Sequence, residues 1–149
     1  MGDEQIRAAA VSNPVPDFDG TPFVRPPDLA EARVAIVTTA ALHSPDQSPL
    51  NGGDQSFRVL ESGDRLILGH GSPNFDRSGW LIDTNVILPV DRLRELADEG
   101  WIGSVAPRHL AFAGNQPDHT MTTISLDTGP AAAELLRRDG VDVALITPV

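Results

Sequence analysis

Apolar positions in this chain come in short runs, separated by stretches rich in Pro, Gly, Ser, Asp and Asn. Arg33 to Leu42, RVAIVTTAAL, is β-branched and apolar without strict alternation, the pattern of a strand buried on both faces of a parallel sheet. The segment HSPDQSPLNGGDQS marks a loop at that strand's carboxyl end, which in open α/β sheets is the functional edge. Phe57 to Leu60 predicts a short strand, and Asp64 to His70, DRLILGH, alternates well enough for another. A second polar loop, HGSPNFDRSGW, follows; WLIDTNVILPV is left open between strand and irregular backbone.

Asp91 to Glu99, DRLRELADE, predicts a short helix. Asp91 is placed to cap its first turn, Leu93, Leu96 and Ala97 share an apolar face, and Gly100 suits a left-handed stop. His109 to Ala113 is a candidate strand ending in the loop GNQPDHT, and Met121 to Leu126 a further short extended piece. Asp127 or Thr128 is placed to cap a helix with Pro130 in its first turn and Arg137 and Arg138 at its negative end. VDVALITPV is expected to be a buried parallel strand. The fold class is therefore α/β, a mostly parallel sheet with flanking helices, incomplete at its carboxyl end because such a strand normally delivers a further loop and helix. Residues 1–31 are expected to be a Pro-rich extended arm, with Phe18 and Phe23 as anchors, and residues 32–149 the α/β domain.

Composition narrows the chemistry. With 149 residues the chain suffices for one domain with a real core. A formal net charge of −10 repels nucleic acid and anionic lipid. The amino terminus lacks a basic segment followed by an apolar run, and no apolar stretch reaches bilayer length, so no membrane and a cytoplasmic location are expected. All basic residues are Arg, and Lys, Cys and Tyr are absent. That excludes from this chain a lysine Schiff base, a Walker A loop, a thiolate nucleophile and a disulfide.

His43, His70, His109 and His119 all fall in or beside loops assigned to strand ends, with Asp46, Asp76 and Asp118 close in sequence. Converging imidazoles and carboxylates can polarise a substrate or move protons, and the same residues also serve as turn caps facing water. His and carboxylate suit Zn²⁺ or Fe²⁺, but no compact ligand spacing such as HExxH occurs and no metal ligands are assigned. Ser72 in GHGSP lacks the GxSxG elbow of a serine hydrolase. Arg92 and Arg94 can bind a carboxylate or pair with Asp91, Glu95 and Asp98.

The ordered series TTAALHSPDQ, GDQSFRVL, GHGSPNFD, DTNVILPVDRLRELADEGWIGSVAPRHLAFAG and GPAAAELLRRDGVDVALITPV resembles the glycine, sarcosine, betaine and D-proline reductase selenoprotein B family. The likeness runs from about Arg33 to Val149. It is most specific from Asp83 to Gly114, with Asn85, Pro89, Asp91, Arg92, Leu93, Glu95, Leu96, Glu99, Gly100, Ile102, Gly103 and His109 in pattern. The resemblance implies reductive cleavage of a carbon–heteroatom bond by an attacking selenocysteine or cysteine with a nearby thiol. That residue would follow VDVALITPV, so the selenocysteine or Cys pair is expected beyond Val149 or from a partner, with no cofactor in this chain. Three explanations stand open: a chain cut short, for example at a UGA codon read as stop; one half of a two-chain enzyme; or a repurposed binding module.

On this reading the chain is the scaffold and substrate-site portion of such a reductase, inactive alone, and the alternative is a non-catalytic small-molecule or protein binding domain. His70 and His109 are the candidates for proton transfer or substrate polarisation, with His43 and Asp76 orienting them. Asn85 and Arg92 are the substrate-binding candidates. The expected partners are a small-molecule substrate and either a partner subunit or a second copy, joined through the carboxyl-terminal strand.

Overall fold

The computed structural model describes residues 2–5, 8, 24–70, 77–116 and 118–149. The expectations for Phe18, Phe23, Ser72 and Asp76 lie outside the described residues. Strands are β1 (Arg33–Thr38), β2 (Leu42–His43), β3 (Phe57–Glu61), β4 (Ile67–Leu68), β5 (Ser104–Val105), β6 (Arg108–Phe112) and β7 (Val143–Thr147). Helices are α1 (Ser78–Ile82), α2 (Val90–Asp98), α3 (Asp118–Thr123) and α4 (Gly129–Arg138), with a 3-10 turn at Thr84–Val86 and a π turn at Ile124–Thr128. Among the described residues no helix is long and apolar enough to cross a membrane.

The main sheet is built around β1, which pairs in parallel with β5, β6 and β7. Val34 pairs with both Val105 and Val143, and Val37 with both Leu110 and Ile146. β5 and β6 therefore lie on one flank of β1 and β7 on the other. β3 closes the β6 flank antiparallel, with Leu60 opposite His109. The sheet is mixed and mostly parallel, as the apolar runs predict.

Both faces of β1 are covered. Val34 and Ile36 pack with Leu60, Leu88 and Leu93 on the α2 face, while Ala35 packs with Leu110, Ala132 and Leu136 on the α4 face. This two-sided burial is why RVAIVT lacks the alternation of a half-exposed strand. Arg108 pairs with Asp139, tying the start of β6 to the end of α4.

Several local expectations are corrected. RVAIVTTAAL is not one strand: Ala41 has φ 55°, and the chain turns there into β2. DRLILGH contributes only Ile67 and Leu68, which pair antiparallel with β2. Met121 to Leu126 is helical, because α3, the π turn and α4 run without interruption; neither Asp127 nor Thr128 starts a helix, and Thr128 has helical angles. α2 begins at Val90, and Asp91 lies inside its first turn. Leu93 is buried as expected, but Leu96 is 38% exposed, since the helix meets the core through Leu93 and Ala97. Gly100 at φ 78° does provide the left-handed stop. VDVALITPV is parallel but not buried: among the described residues β7 is the last strand on its flank, and Ile146 is 65% exposed.

Candidate functional site

At the carboxyl edge of the sheet, four segments meet. β1 runs out through Thr39; its N–H donates to Thr147 O at 3.2 Å, and its Oγ1 accepts the Val149 N–H at 2.8 Å. Ala40 bridges Ala113 beyond the end of β6. Ala41 donates its N–H to Phe112 O at 3.0 Å and accepts the Gly69 N–H at 3.1 Å. Position 69 tolerates no side chain, since a Cβ would lie 2.7 Å from Ala41 O. The glycine thus brings the β4 strand close enough for the next residue, His70, to reach the edge.

His70 is buried and its Nε2 donates to Val149 O at 3.3 Å, while its own carbonyl accepts from Arg77 at 2.8 Å. His43, opposite Ile67 in the β2–β4 pair, is also buried. Its Nδ1 donates to Ser44 O at 2.9 Å, which leaves the Nε2 lone pair as the basic position of a neutral ring. The loop beyond is tied down: Ser44 donates to Asp46 Oδ1 at 2.6 Å and Gln47 to Val59 O at 2.9 Å. The Ser44 hydroxyl holds the Asp46 carboxyl below the usual range.

His109 stands elsewhere. It is the second residue of β6 rather than part of a following loop, and its Nδ1 accepts the Ile36 N–H at 3.1 Å. Ile36 lies three residues before Thr39, about 10 Å along an extended strand. Burial, with Arg94 nearby, lowers the His109 pKa to about 4. Asn85 and Arg92 are engaged in bonds of their own. Asn85 caps α2: its Oδ1 accepts the Asp91 N–H at 3.0 Å, and its amide donates to Asp83 at 2.8 Å. The Asn85 backbone N–H also donates to Asp83 Oδ1 at 2.9 Å, and it and the side-chain amide together hold the Asp83 carboxyl below its ordinary range. Arg92 is an exposed partner of Glu95 at 2.7 Å. His119 is exposed on α3.

The structure therefore separates the predicted residues into two groups. His43 and His70 share the carboxyl edge with Thr39, Gly114 and the end of β7. His109 and Asn85 line a separate cleft of about 210 Å³, with Leu60, Leu88 and Val90 from the α2 face among its walls and neither His43 nor His70. Sequence reasoning missed Thr39, Gly69 and Gly114 at the first of these. The Gly-His and Ala-Gly-Asn steps directly after apolar runs were the only available signal. Among the described residues, no three His, Asp or Glu side chains converge to hold a metal ion.

Comparison with known proteins gives a consistent picture. The family profile for glycine/sarcosine/betaine reductase selenoprotein B matches residues 55–149. The chain is 36% identical over 124 residues to D-proline reductase subunit gamma of Acetoanaerobium sticklandii, covering 80% of this chain and 50% of that protein. It is 30% identical over 146 residues to glycine reductase complex component B subunit gamma of Carboxydothermus hydrogenoformans, covering 90% of this chain and 32% of the relative. Sarcosine reductase complex component B subunit beta of Peptoclostridium acidaminophilum is 28% identical over 146 residues, again with 32% of its length covered. The chain thus spans between a third and half of the length of these relatives. No solved structure matches it significantly.

Proposed function

The chain belongs to the glycine/sarcosine/betaine reductase selenoprotein B family, and from that premise we propose that it forms the scaffold and substrate-site portion of a selenol- or thiol-dependent reductase cleaving a carbon–heteroatom bond. The observation that carries this reading is the meeting of Thr39, His70 and Gly114 with the last residues of β7 at the carboxyl edge. Ligand sites of open α/β sheets lie at this edge.

Reductive cleavage of a C–X bond by a dithiol consumes two electrons and two protons and yields C–H and HX. A selenol or thiolate, which this chain lacks, supplies the soft nucleophile for that chemistry. The chain's own residues supply the proton handling. His43, with Nε2 as its basic position, takes a proton; His70, whose Nε2 carries one, gives it to the leaving group or carbon. Asp76 belongs to the proposal as an orienting group by its place six residues after His70. The reading includes a cytoplasmic location, where thiols are kept reduced, and a partner subunit, since the relatives' names describe subunits of reductase complexes.

The test is to combine this chain with a partner polypeptide bearing a selenocysteine or Cys motif and follow substrate-dependent oxidation of dithiothreitol. Turnover that needs both chains, and falls about 100-fold or more in His43→Ala and His70→Ala, is the expected result. Unchanged rates in both variants remove the assignment. Ligand binding without turnover under any pairing would instead favour a non-catalytic binding module.

A further inference from the structure

Between β4 and α1 runs a groove of about 280 Å³ that the reading above does not use, and its lining includes neither His43 nor His70. β4 and the Arg65–Leu66 step before it form one wall; Arg77, Trp80 and Leu81 form the other. Leu66, Leu68 and Trp80 pack against the core on the α2 face and so make a fixed floor, while Leu81 stands 75% exposed at the rim.

The β4 wall is also a strand edge. β4 pairs with β2 and, among the described residues, with no other strand. Ile67 lies opposite His43 in that pair, and the Gly69 N–H donates to Ala41 O at 3.1 Å. Successive residues of an antiparallel strand turn their peptide groups to opposite sides, so the N–H and C=O of Leu68, between those two, point away from β2. The groove is lined by β4 and not by β2, which places it on that same free side.

Its two ends are basic. Arg65 precedes β4, and Arg77 reaches the strand's far end, donating to His70 O at 2.8 Å. No carboxylate belongs to the described lining, on a chain of net charge −10. An apolar groove beside a free strand edge supplies main-chain bonds for affinity and side-chain sites at alternate positions for specificity, and guanidinium groups match carboxylates. We propose that this groove binds an extended acidic segment of a partner protein, which adds to β4 as a strand. Its apolar side chain seats against Leu68 and Trp80, and its carboxylates meet Arg65 and Arg77. Arg65 to His70 spans at most about 17 Å of extended chain, and acidic, apolar and acidic residues at alternate positions, all on one face, cover about 13 Å of it. A helix in the same groove would keep its own backbone bonds and make no use of Leu68, and nucleic acid would meet the chain's net negative charge. The groove does not depend on the reductase reading, and its test involves no turnover.

The experiment pans a library of random octapeptides on the 149-residue chain, then follows amide hydrogen exchange at Leu68 by NMR with the strongest selected peptide added. The expected result is a consensus of acidic, apolar and acidic residues at alternate positions, with Leu68 N–H exchange slowed about tenfold or more at saturation. In Arg65→Glu, where the side chain is exposed, the same peptide should bind about tenfold more weakly with Tm unchanged. A consensus at helical spacing overturns the proposal, as does a selected peptide that leaves Leu68 exchange as it was. So does a library that yields no enriched sequence, which would leave Arg65 and Arg77 as charges guarding the edge against unwanted pairing.

Discussion

His109 shows how a residue type is legible while its work is not. Its imidazole accepts the amide of Ile36, 73 positions away, inside a sheet. The folded protein holds its pKa at about 4 against an ordinary value of 6.5. The depressed group is neutral in both states above pH 6.5, where its contribution to stability is intact. As the pH falls from 6.5 toward 4 the unfolded chain takes up the proton first, so stability declines by about 3 kcal/mol across that window. Urea midpoints measured through the window should fall in the native protein and fall much less in His109→Gln. A native curve flat down to pH 4 would contradict this. The depressed carboxylates of Asp46, Asp83 and Asp139 add their loss only below their ordinary value of 3.8, so the two effects separate. At Gly69 the issue is contact: Gly69→Ala should cost about 1–3 kcal/mol, read as a lowered Tm, because the nearest atom, Ala41 O, is a backbone oxygen that cannot step aside cheaply.

At the scale of elements, helix α2 was legible from its apolar spacing and Gly100, but the cap was not. The capping side chain is Asn85, six residues upstream of Asp91 and beyond a 3-10 turn. Asn85→Ala should destabilise by about 1 kcal/mol, within the usual range for a lost cap, and thermal melts will show whether it does. The apolar face divides in the same way. Leu93→Ala should cost about 2–5 kcal/mol, whereas Leu96→Ala should cost under about 1 kcal/mol, a contrast that denaturant titration resolves. Met121 to Leu126 misled because its Thr and Ile content favours strands locally. Continuation into α4 through a π turn overrides that preference in the folded chain.

At the scale of the whole molecule, among the described residues β7 pairs only with β1, and Ile146 and Leu145 are exposed. Such an edge suits a further strand or a partner surface. If the partner subunit proposed above docks here, Ile146→Asp will leave the chain's own stability within about 0.5 kcal/mol and abolish co-elution with that partner in size-exclusion chromatography. Undiminished co-elution would place the interface elsewhere. The residues by themselves determined the α/β class, the parallel run RVAIVT at its centre, the absence of thiol and lysine chemistry, and the family, because these follow from local patterns and from residue types in order. The folded chain alone decided which histidines stand together. Strand pairing sent His43 and His70 to the carboxyl edge and His109 into the sheet between β1 and β3, and among the described residues it left β7 outermost. Those outcomes depend on register and strand order, which arise from contacts between residues far apart in the chain and leave no periodic mark in the amino-acid order.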